Sequence, residues 1–314
     1  MSERRHVTPV PLGDEIPFSK GLMARALMGA GISTDRAYEL AIAVEADLVE
    51  SKREAISFER LDQLAQRTLG PGDGATAMRR LRRIQDLYDL DLPIILLVGG
   101  ATGTGKSSVA TDVAYRLGIT RVTSTDFVRQ TMRAFFSREF MPAIHHSSFE
   151  AGRAIADEDA EGSEAVLDGF LEQTRDVLVG VQAAIDRALE EGWSMVLEGV
   201  HLVPGMLPRE IEGALVVQCV LAISDAEAHA GHFWIRDTDS EGARAYEKYL
   251  DAFDDIRLVQ AYILGRARKN AVPVIENGDI EDAIFHASAA GEVDEGRPVL
   301  GSSAVRSQRC SPLS

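Results

Sequence analysis

Apolar residues recur at two different spacings in this sequence, and the spacing changes near residue 93. Before that point an apolar residue recurs every three or four positions, which is the spacing expected of helices that bury one face. Ser33 or Thr34 can begin the second helix and Ser57 the third, because a hydroxyl there accepts from a free backbone N–H. The predicted helices cover residues 20–31, 33–51 and 58–69.

A glycine-rich stretch at 70–74 is expected to break the chain after these helices. The next segment is rich in arginine and keeps helical spacing until it ends before Pro93. We interpret it as a helical connector.

Beyond Pro93 the apolar residues form short continuous runs with helical segments between them. The first run, IILLVGG at 94–100, is uninterrupted, as in a strand buried on both faces of a parallel sheet. Alternation of strands and helices predicts an α/β fold with right-handed crossovers. Further predicted strands lie at 121–124, 194–199, 214–223 and 271–277.

These changes divide the chain into four predicted parts. Residues 1–72 form a small, mostly helical domain, 73–92 the connector and 93–290 an α/β domain. Residues 291–314 are rich in Gly, Ser and Pro without periodicity, which predicts a disordered tail.

Composition narrows the class of protein. The 314 residues carry a formal net charge of −16, which argues against nonspecific binding to nucleic acid or to an anionic membrane. No apolar run approaches the roughly 20 residues of a membrane helix. With no secretion signal and only two cysteines, Cys219 and Cys310, the chain is expected to be cytoplasmic. Nothing in the sequence predicts an oligomeric state.

The strongest motif follows the first predicted strand directly. Residues 100–107, GATGTGKS, fit the phosphate-binding pattern G-x-x-x-x-G-K-[ST] between a strand and a helix. Glycines let the backbone N–H groups surround a phosphate at the positive end of the helix. Lys106 is expected to span the β- and γ-phosphates of ATP, and Ser107 to bind Mg²⁺. The predicted nucleotide-binding residues are Gly100, Ala101, Thr102, Gly103, Thr104, Gly105, Lys106, Ser107 and Ser108.

A phosphate-binding loop alone does not name the reaction. The base-recognition motif N-K-x-D of GTPases is missing, and so is an apolar strand that ends in Asp, as motor and transporter ATPases have. Glu198 instead ends the strand at 194–199. It could hold Mg²⁺ through water, orient an acceptor, or be an ordinary acid that faces a turn.

Asp126 follows the second predicted strand. A carboxylate at this point, opposite a phosphate-binding loop, is suited to accept the hydroxyl proton of a small acceptor. It could instead only cap the next helix, since Ser124, Thr125 and Asp126 all favour that position, and a carboxylate can do both. Arg129 and Arg133 share a helical face that an acidic acceptor would need, although Arg133 could belong to a solvated basic face.

His145, His146, Ser147 and Ser148 stand together in the next segment. Adjacent histidines usually diverge, so a metal site is disfavoured, and direct phosphoryl transfer needs no serine nucleophile. Two interpretations remain: the serines cap the following helix, or the segment recognises a phosphorylated acid. For the second we expect His145, Ser147 and Ser148 to contact the acceptor.

Residues 232–270 are a polar excursion between two strands, as in a mobile cover that closes over phosphate. Arginines there could reach the phosphates or form surface salt bridges, and Arg236 is favoured. The candidates are Arg236, Arg244, Arg266 and Arg268.

Together these motifs resemble the 2-phosphoglycerate kinase family, P-loop kinases that use ATP to make 2,3-bisphosphoglycerate. The similarity extends over most of residues 8–285. It is carried by GGATGTGKSS, TSTDFVRQTMR, HHSSFEAG, LEGVHLVPG, HFWIR, IRLVQAYI and VPVIEN.

The resemblance implies a P-loop NTPase sheet like that of nucleoside and shikimate kinases, with ATP and Mg²⁺ as cofactors and a small phosphorylated acid as acceptor. It implies catalytic roles for Lys106, Asp126, Glu198 and Arg236, and places His201 beside the transferring phosphoryl group. Residues 1–72 resemble the family's ATP-cone module, with nucleotide sensing or a purely structural role both open. A kinase for another small acid and a nucleotide sensor without turnover remain alternatives.

Overall fold

The computed structural model describes residues 18–89, 92–154, 162–239 and 246–276. The predicted tail at 291–314 and Arg244 lie outside these ranges. None of the helices within them combines the length and the apolar character needed to cross a bilayer.

Four helices form the N-terminal region. They are α1 (Lys20–Gly29), α2 (Thr34–Ser51), α3 (Phe58–Leu69) and α4 (Pro71–Asp89). Ser57 caps α3 as predicted, since its Oγ accepts from the N–H of Arg60 at 3.3 Å. The helices enclose one core of leucine, alanine and methionine side chains.

The stretch at 70–74 is not the break that its glycines predict. Gly70, with φ of +87°, is the only residue between α3 and α4, and Pro71 begins α4. Proline suits this first helical position because its fixed φ is already helical and its missing N–H would have no partner. Ala77 and Leu81, in the segment interpreted as a connector, are buried in the same core as α1 to α3.

A five-stranded parallel sheet forms the second region, in the order β2-β3-β1-β4-β5. All five predicted strands are present, with slightly different ends, and the α/β fold class is confirmed. The strands are β1 (Ile94–Gly100), β2 (Val122–Ser124), β3 (Met195–Gly199), β4 (Leu215–Ala222) and β5 (Val274–Glu276).

Helices cover both faces of this sheet, which explains why β1 is apolar at every position. Leu96 and Val98 pack with the helix that follows the phosphate-binding loop, whereas Ile95 and Leu97 pack on the opposite side. The helices are α5 (Lys106–Arg116), α6 (Thr125–Phe135), α7 (Ser163–Glu191), α8 (Ala226–Asp239), α9 (Tyr246–Asp251) and α10 (Phe253–Lys269). Parallel strands bring the ends of β1, β2 and β3 to one edge, where ligands of open α/β sheets bind.

Candidate active site

The phosphate-binding loop leaves β1 and enters α5. Gly100, Gly103 and Gly105 have φ values of +144°, +86° and +78°, which glycine alone adopts readily. Gly105 has no side chain with which to cap α5, so the first N–H groups of the helix are available to an anion. Lys106 Nζ donates to the carbonyl of Ala101 at 2.6 Å. This cradle fits nucleotide phosphates.

Helix α8 supports the loop from outside. A Cβ on Gly103 would lie 2.6 Å from the ring of Phe233. Arg257 donates to His229 Nδ1 at 3.5 Å, so His229 Nε2 carries the proton that it donates to the Thr102 carbonyl at 2.8 Å. Burial lowers the pKa of His229, which keeps this imidazole neutral.

Glu198 lies next to the loop at the end of β3. It is paired in register with Val98 of β1 and Ser124 of β2, and is 7% exposed. Ser107 Oγ donates to its Oε1 at 2.9 Å. Hydroxyl and carboxylate oxygens are ligands that Mg²⁺ accepts, so this pair fits the ion. No group of three or more His, Cys, Asp or Glu side chains that could hold a metal occurs in the described part of the chain.

Asp126 is not the cap of α6. Ser124 has that role, because its Oγ accepts from the N–H of Phe127 at 3.0 Å. The Asp126 side chain is 68% exposed and accepts from Arg129 Nε at 3.2 Å. Partial desolvation acts to raise its pKa, but the positive charges nearby, with the hydrogen bond from Arg129, outweigh this and hold the pKa below its usual value. Asp126 is therefore an accessible, ionised carboxylate at neutral pH.

The two predicted acceptor arginines differ in environment. Arg129 is buried, and its Nη1 donates to the carbonyls of Ile144 and His146 at 3.0 and 2.8 Å. It therefore holds protein backbone in this structure. Arg133 lies closer to solvent and donates to Gln130 Oε1 at 3.0 Å.

Residues 143–148, called the acceptor loop after their predicted role, begin with a short 3₁₀ turn at Ala143–His145. His145 Nε2 bonds to the Phe136 carbonyl at 3.0 Å. Ser147 Oγ donates to the carboxylate of Glu150, which Lys248 also contacts at 2.7 Å. Ser148 is buried. The serine hydroxyl that sequence assigns to the acceptor or to a helix cap thus bonds to another side chain.

His201 is enclosed between α6 and α7. The ring is fully buried, with Nδ1 2.8 Å from Thr125 Oγ1 and Nε2 2.9 Å from Gln173 Oε1. Burial lowers its pKa to about 4, so it is neutral at physiological pH. Both ring nitrogens have protein partners in this structure, and the implied place of His201 beside the transferring phosphoryl group stays a prediction.

Sequence reasoning missed Thr125 and Gln173 as parts of the site. Gln173 is a completely buried amide on α7, on the same stripe as Phe170 and Val177. A glutamine on a buried apolar stripe is the signal that could have identified it, because a buried amide requires partners.

Those arginines proposed for the cover that the structure describes lie on two helices and do not share one environment. Arg236 belongs to α8, but its side chain lies outside the described residues. Arg266 Nε donates to the Pro204 carbonyl at 3.0 Å, and Arg268 is exposed on α10.

The site has the features of a P-loop kinase. A phosphate-binding loop follows the central strand, Glu198 accepts from the serine of that loop, and the exposed carboxylate of Asp126 follows the end of β2. No family model matches the chain. Curated relatives are nevertheless similar along most of it. The 2-phosphoglycerate kinase of Methanothermobacter thermautotrophicus is 39% identical over 271 residues, which is 85% of this chain and 88% of the relative.

Two other relatives agree. The 2-phosphoglycerate kinases of Methanopyrus kandleri and Pyrococcus furiosus are each 36% identical, over 86% of this chain and over 82% and 87% of their own lengths. The chain belongs to the 2-phosphoglycerate kinase family. Among solved structures, a gluconokinase from Sinorhizobium meliloti 1021 aligns with 64% of this chain and 91% of its own, at 16% identity and a TM-score of 0.34.

Proposed function

We propose that this protein transfers the γ-phosphoryl group of ATP to the 3-hydroxyl of 2-phosphoglycerate and so forms 2,3-bisphosphoglycerate. The observation that carries the proposal is the convergence of Lys106, the Ser107–Glu198 pair and the exposed Asp126 at one edge of the sheet. The names of the relatives supply the acceptor.

The loop residues 100–108 would hold the nucleotide, with backbone N–H groups on the phosphates and Lys106 on the β- and γ-phosphates. Ser107 and Glu198 would hold Mg²⁺, directly or through water, with the remaining ligands from phosphate and water. The ion would neutralise charge that develops between the β- and γ-phosphates. The main contribution of these residues would thus be to position the nucleotide and to neutralise the charge on its phosphates.

Asp126 would bind the acceptor hydroxyl. As the oxygen attacks the γ-phosphorus, the bond to the β–γ bridging oxygen breaks, ADP leaves, and the hydroxyl proton passes to the carboxylate and then to solvent. A carboxylate with a lowered pKa is a weak base, so the proton moves late and orientation of the hydroxyl is the larger contribution.

The test is a coupled assay of ADP release over a panel of acceptors: 2-phosphoglycerate, 3-phosphoglycerate, glycerate, a sugar acid and a nucleoside monophosphate. We expect ADP release to depend on 2-phosphoglycerate, with 2,3-bisphosphoglycerate identified by ³¹P NMR. Lys106→Ala should lower this rate at least about a hundredfold, because its charge acts on the transferred group. Lys269→Ala, on the exposed end of α10, is the matched control and should keep the rate.

Two outcomes would contradict the proposal. Preference for a different acceptor would show another small-molecule kinase. ATP binding without acceptor-dependent ADP release would show a nucleotide sensor.

A further inference from the structure

Two buried side chains hold the backbone of the acceptor loop. Gln173 Nε2 donates to the carbonyls of Ala143 and His146 at 2.6 and 3.0 Å. Arg129 donates to the carbonyls of Ile144 and His146. The His146 carbonyl therefore receives a hydrogen bond from α6 and another from α7, which fixes the loop at this residue.

The direction of each hydrogen bond in this network follows from the first. Because Gln173 uses its NH₂ group on two carbonyls, its Oε1 must accept, and it does so from His201 Nε2 at 2.9 Å. His201 Nδ1 then has no proton and accepts from the Thr125 hydroxyl at 2.8 Å. These directions are those of neutral His201; on protonation Nδ1 would become a donor, and the Thr125 hydroxyl would have to turn and accept from it.

This chain of bonds joins the acceptor loop to the catalytic edge. Thr125 directly precedes Asp126, and His201 follows Glu198 by three residues. The turn at Gly199 has φ of +151°, and a Cβ there would overlap the Thr125 side chain. The loop is thus positioned by the same turn residues that place the two carboxylates.

The two histidines of the loop are held differently. His145 uses Nε2 on the Phe136 carbonyl. The half-buried His146 ring has no hydrogen-bond partner among the residues that the structure describes, although its backbone is fixed twice. Burial, and then the nearby charge of Arg138, lowers the pKa of His146, so a neutral ring can donate or accept at neutral pH.

We propose that Gln173 is a positioning residue for the acceptor and that it acts by presenting the His146 side chain to the phosphorylated acid. This rests on the proposed function, since it takes residues 143–148 as the acceptor loop. It changes the expected contact from His145 to His146 and adds a residue on α7 that touches no substrate.

The experiment compares steady-state KM values for 2-phosphoglycerate and for ATP. Gln173→Met keeps the side-chain volume but removes both donors. Without them the loop carbonyls must seek other partners, and we expect the acceptor KM to rise about tenfold while the ATP KM stays within about twofold. Gln182→Met is the matched control on α7, because that amide donates to the exposed Asp186 at 2.8 Å and has no role in holding the loop.

The adjacent histidines give a second matched pair. His146→Ala should raise the acceptor KM by a similar factor, and His145→Ala should leave it near the wild-type value. In a variant that combines Gln173→Met with His146→Ala, the further rise in acceptor KM from Gln173→Met should largely disappear, because the His146 side chain through which Gln173 acts is already absent.

Several results would overturn the proposal. Equal changes in both KM values, or additive effects in the double variant, would show that Gln173 is structural only. If Gln173→Met and the shorter Gln173→Asn both fail to fold, the two histidine variants still test the proposal. Equal changes in acceptor KM for His145→Ala and His146→Ala would refute it. Turnover of the wild-type protein is measured first. If it releases no ADP in response to the acceptor, the proposed function itself is contradicted. If wild-type turnover is normal but Gln173→Met changes the KM values for acceptor and ATP equally, only the role of Gln173 is contradicted.

Discussion

Ser124 and Asp126 lie two positions apart and perform different tasks at the start of α6. Ser124 accepts from the backbone of Phe127, while the Asp126 carboxylate stays exposed beside Arg129. The sequence alone could not separate these tasks, because serine, threonine and aspartate are all good capping residues. Two variants can separate them.

Asp126→Asn removes the charge but keeps the shape of the side chain. We expect kcat to fall about a hundredfold, since an amide orients the acceptor hydroxyl less strongly than a carboxylate and cannot accept its proton. The melting temperature should stay near the wild-type value. Ser124→Ala should lower the free energy of unfolding by about 1 kcal/mol through the lost cap, with little change in kcat. Steady-state kinetics and thermal denaturation of both variants test this. Loss of stability in Asp126→Asn at normal kcat would show that its role is structural.

How well the sequence predicts a site residue depends on where its partners lie in the chain. Lys106 and Ser107 are placed by a local motif between a strand and a helix, and Glu198 lies at the end of a recognisable strand. Arg129 and His201 bond to residues 15 to 76 positions away, so their burial depends on tertiary packing that no local pattern contains. Their type was apparent from sequence, but the direction in which each side chain points was not.

Secondary-structure elements show the same contrast. Short runs predicted all five strands, and the run of β1 is continuously apolar because that strand is buried along its whole length. The edge strands β2 and β5 are shorter and more exposed, and their runs include polar residues. The predicted break at 70–74 was wrong, because the prediction gave more weight to the glycines than to Pro71, which begins α4. The contact of α8 with the phosphate-binding loop was also not foreseen, since it joins Gly103 to Phe233, far apart in the chain.

That contact predicts a specific effect of Gly103→Ala. The new methyl group would meet the buried Phe233 ring at 2.6 Å, in a backbone with φ of +86°. The loop must move, so we expect ATP affinity to fall at least about tenfold. Isothermal titration calorimetry with ATP measures this change.

Gly70→Ala is the control for backbone strain alone. Its φ is +87°, yet nothing lies within 4 Å of the added Cβ. The free energy of unfolding should fall by about 1 kcal/mol with unchanged ATP affinity. Equal ATP affinities in the two variants would show that the packing of α8 does not shape the loop.

For the molecule as a whole, α5 connects the two regions. Its first residues belong to the phosphate-binding loop, and at its end the buried Arg116 donates to the Met28 carbonyl of α1 at 3.4 Å. A Cβ on Gly29 would lie 3.1 Å from the Arg116 carbonyl, so glycine permits this close approach. The N-terminal helices therefore pack on the helix that begins at the nucleotide site. The division into domains at residues 72 and 92 remains a prediction.

Acid should destabilise the folded chain before most carboxylates titrate. Burial lowers the pKa values of His146, His201 and His229, and that of His201 falls to about 4 from 6.5. Above pH 6.5 these rings are neutral in both the folded and unfolded states. Between pH 6.5 and about 4 the unfolded chain binds protons that the folded chain does not, so stability falls with pH. Below about pH 4 the loss from His201 levels off, because the folded state then binds the proton as well.

His201 should dominate this slope because it is the most deeply enclosed and both of its ring nitrogens are bonded inside the protein. We expect its contribution to approach about 1.4 kcal/mol per pH unit within that window. Urea unfolding at a series of pH values should therefore give a shallower slope for His201→Gln, even if that variant is less stable at neutral pH. An unchanged slope in His201→Gln would mean that His201 binds its proton as readily in the folded as in the unfolded state, which would contradict the lowering of its pKa by burial.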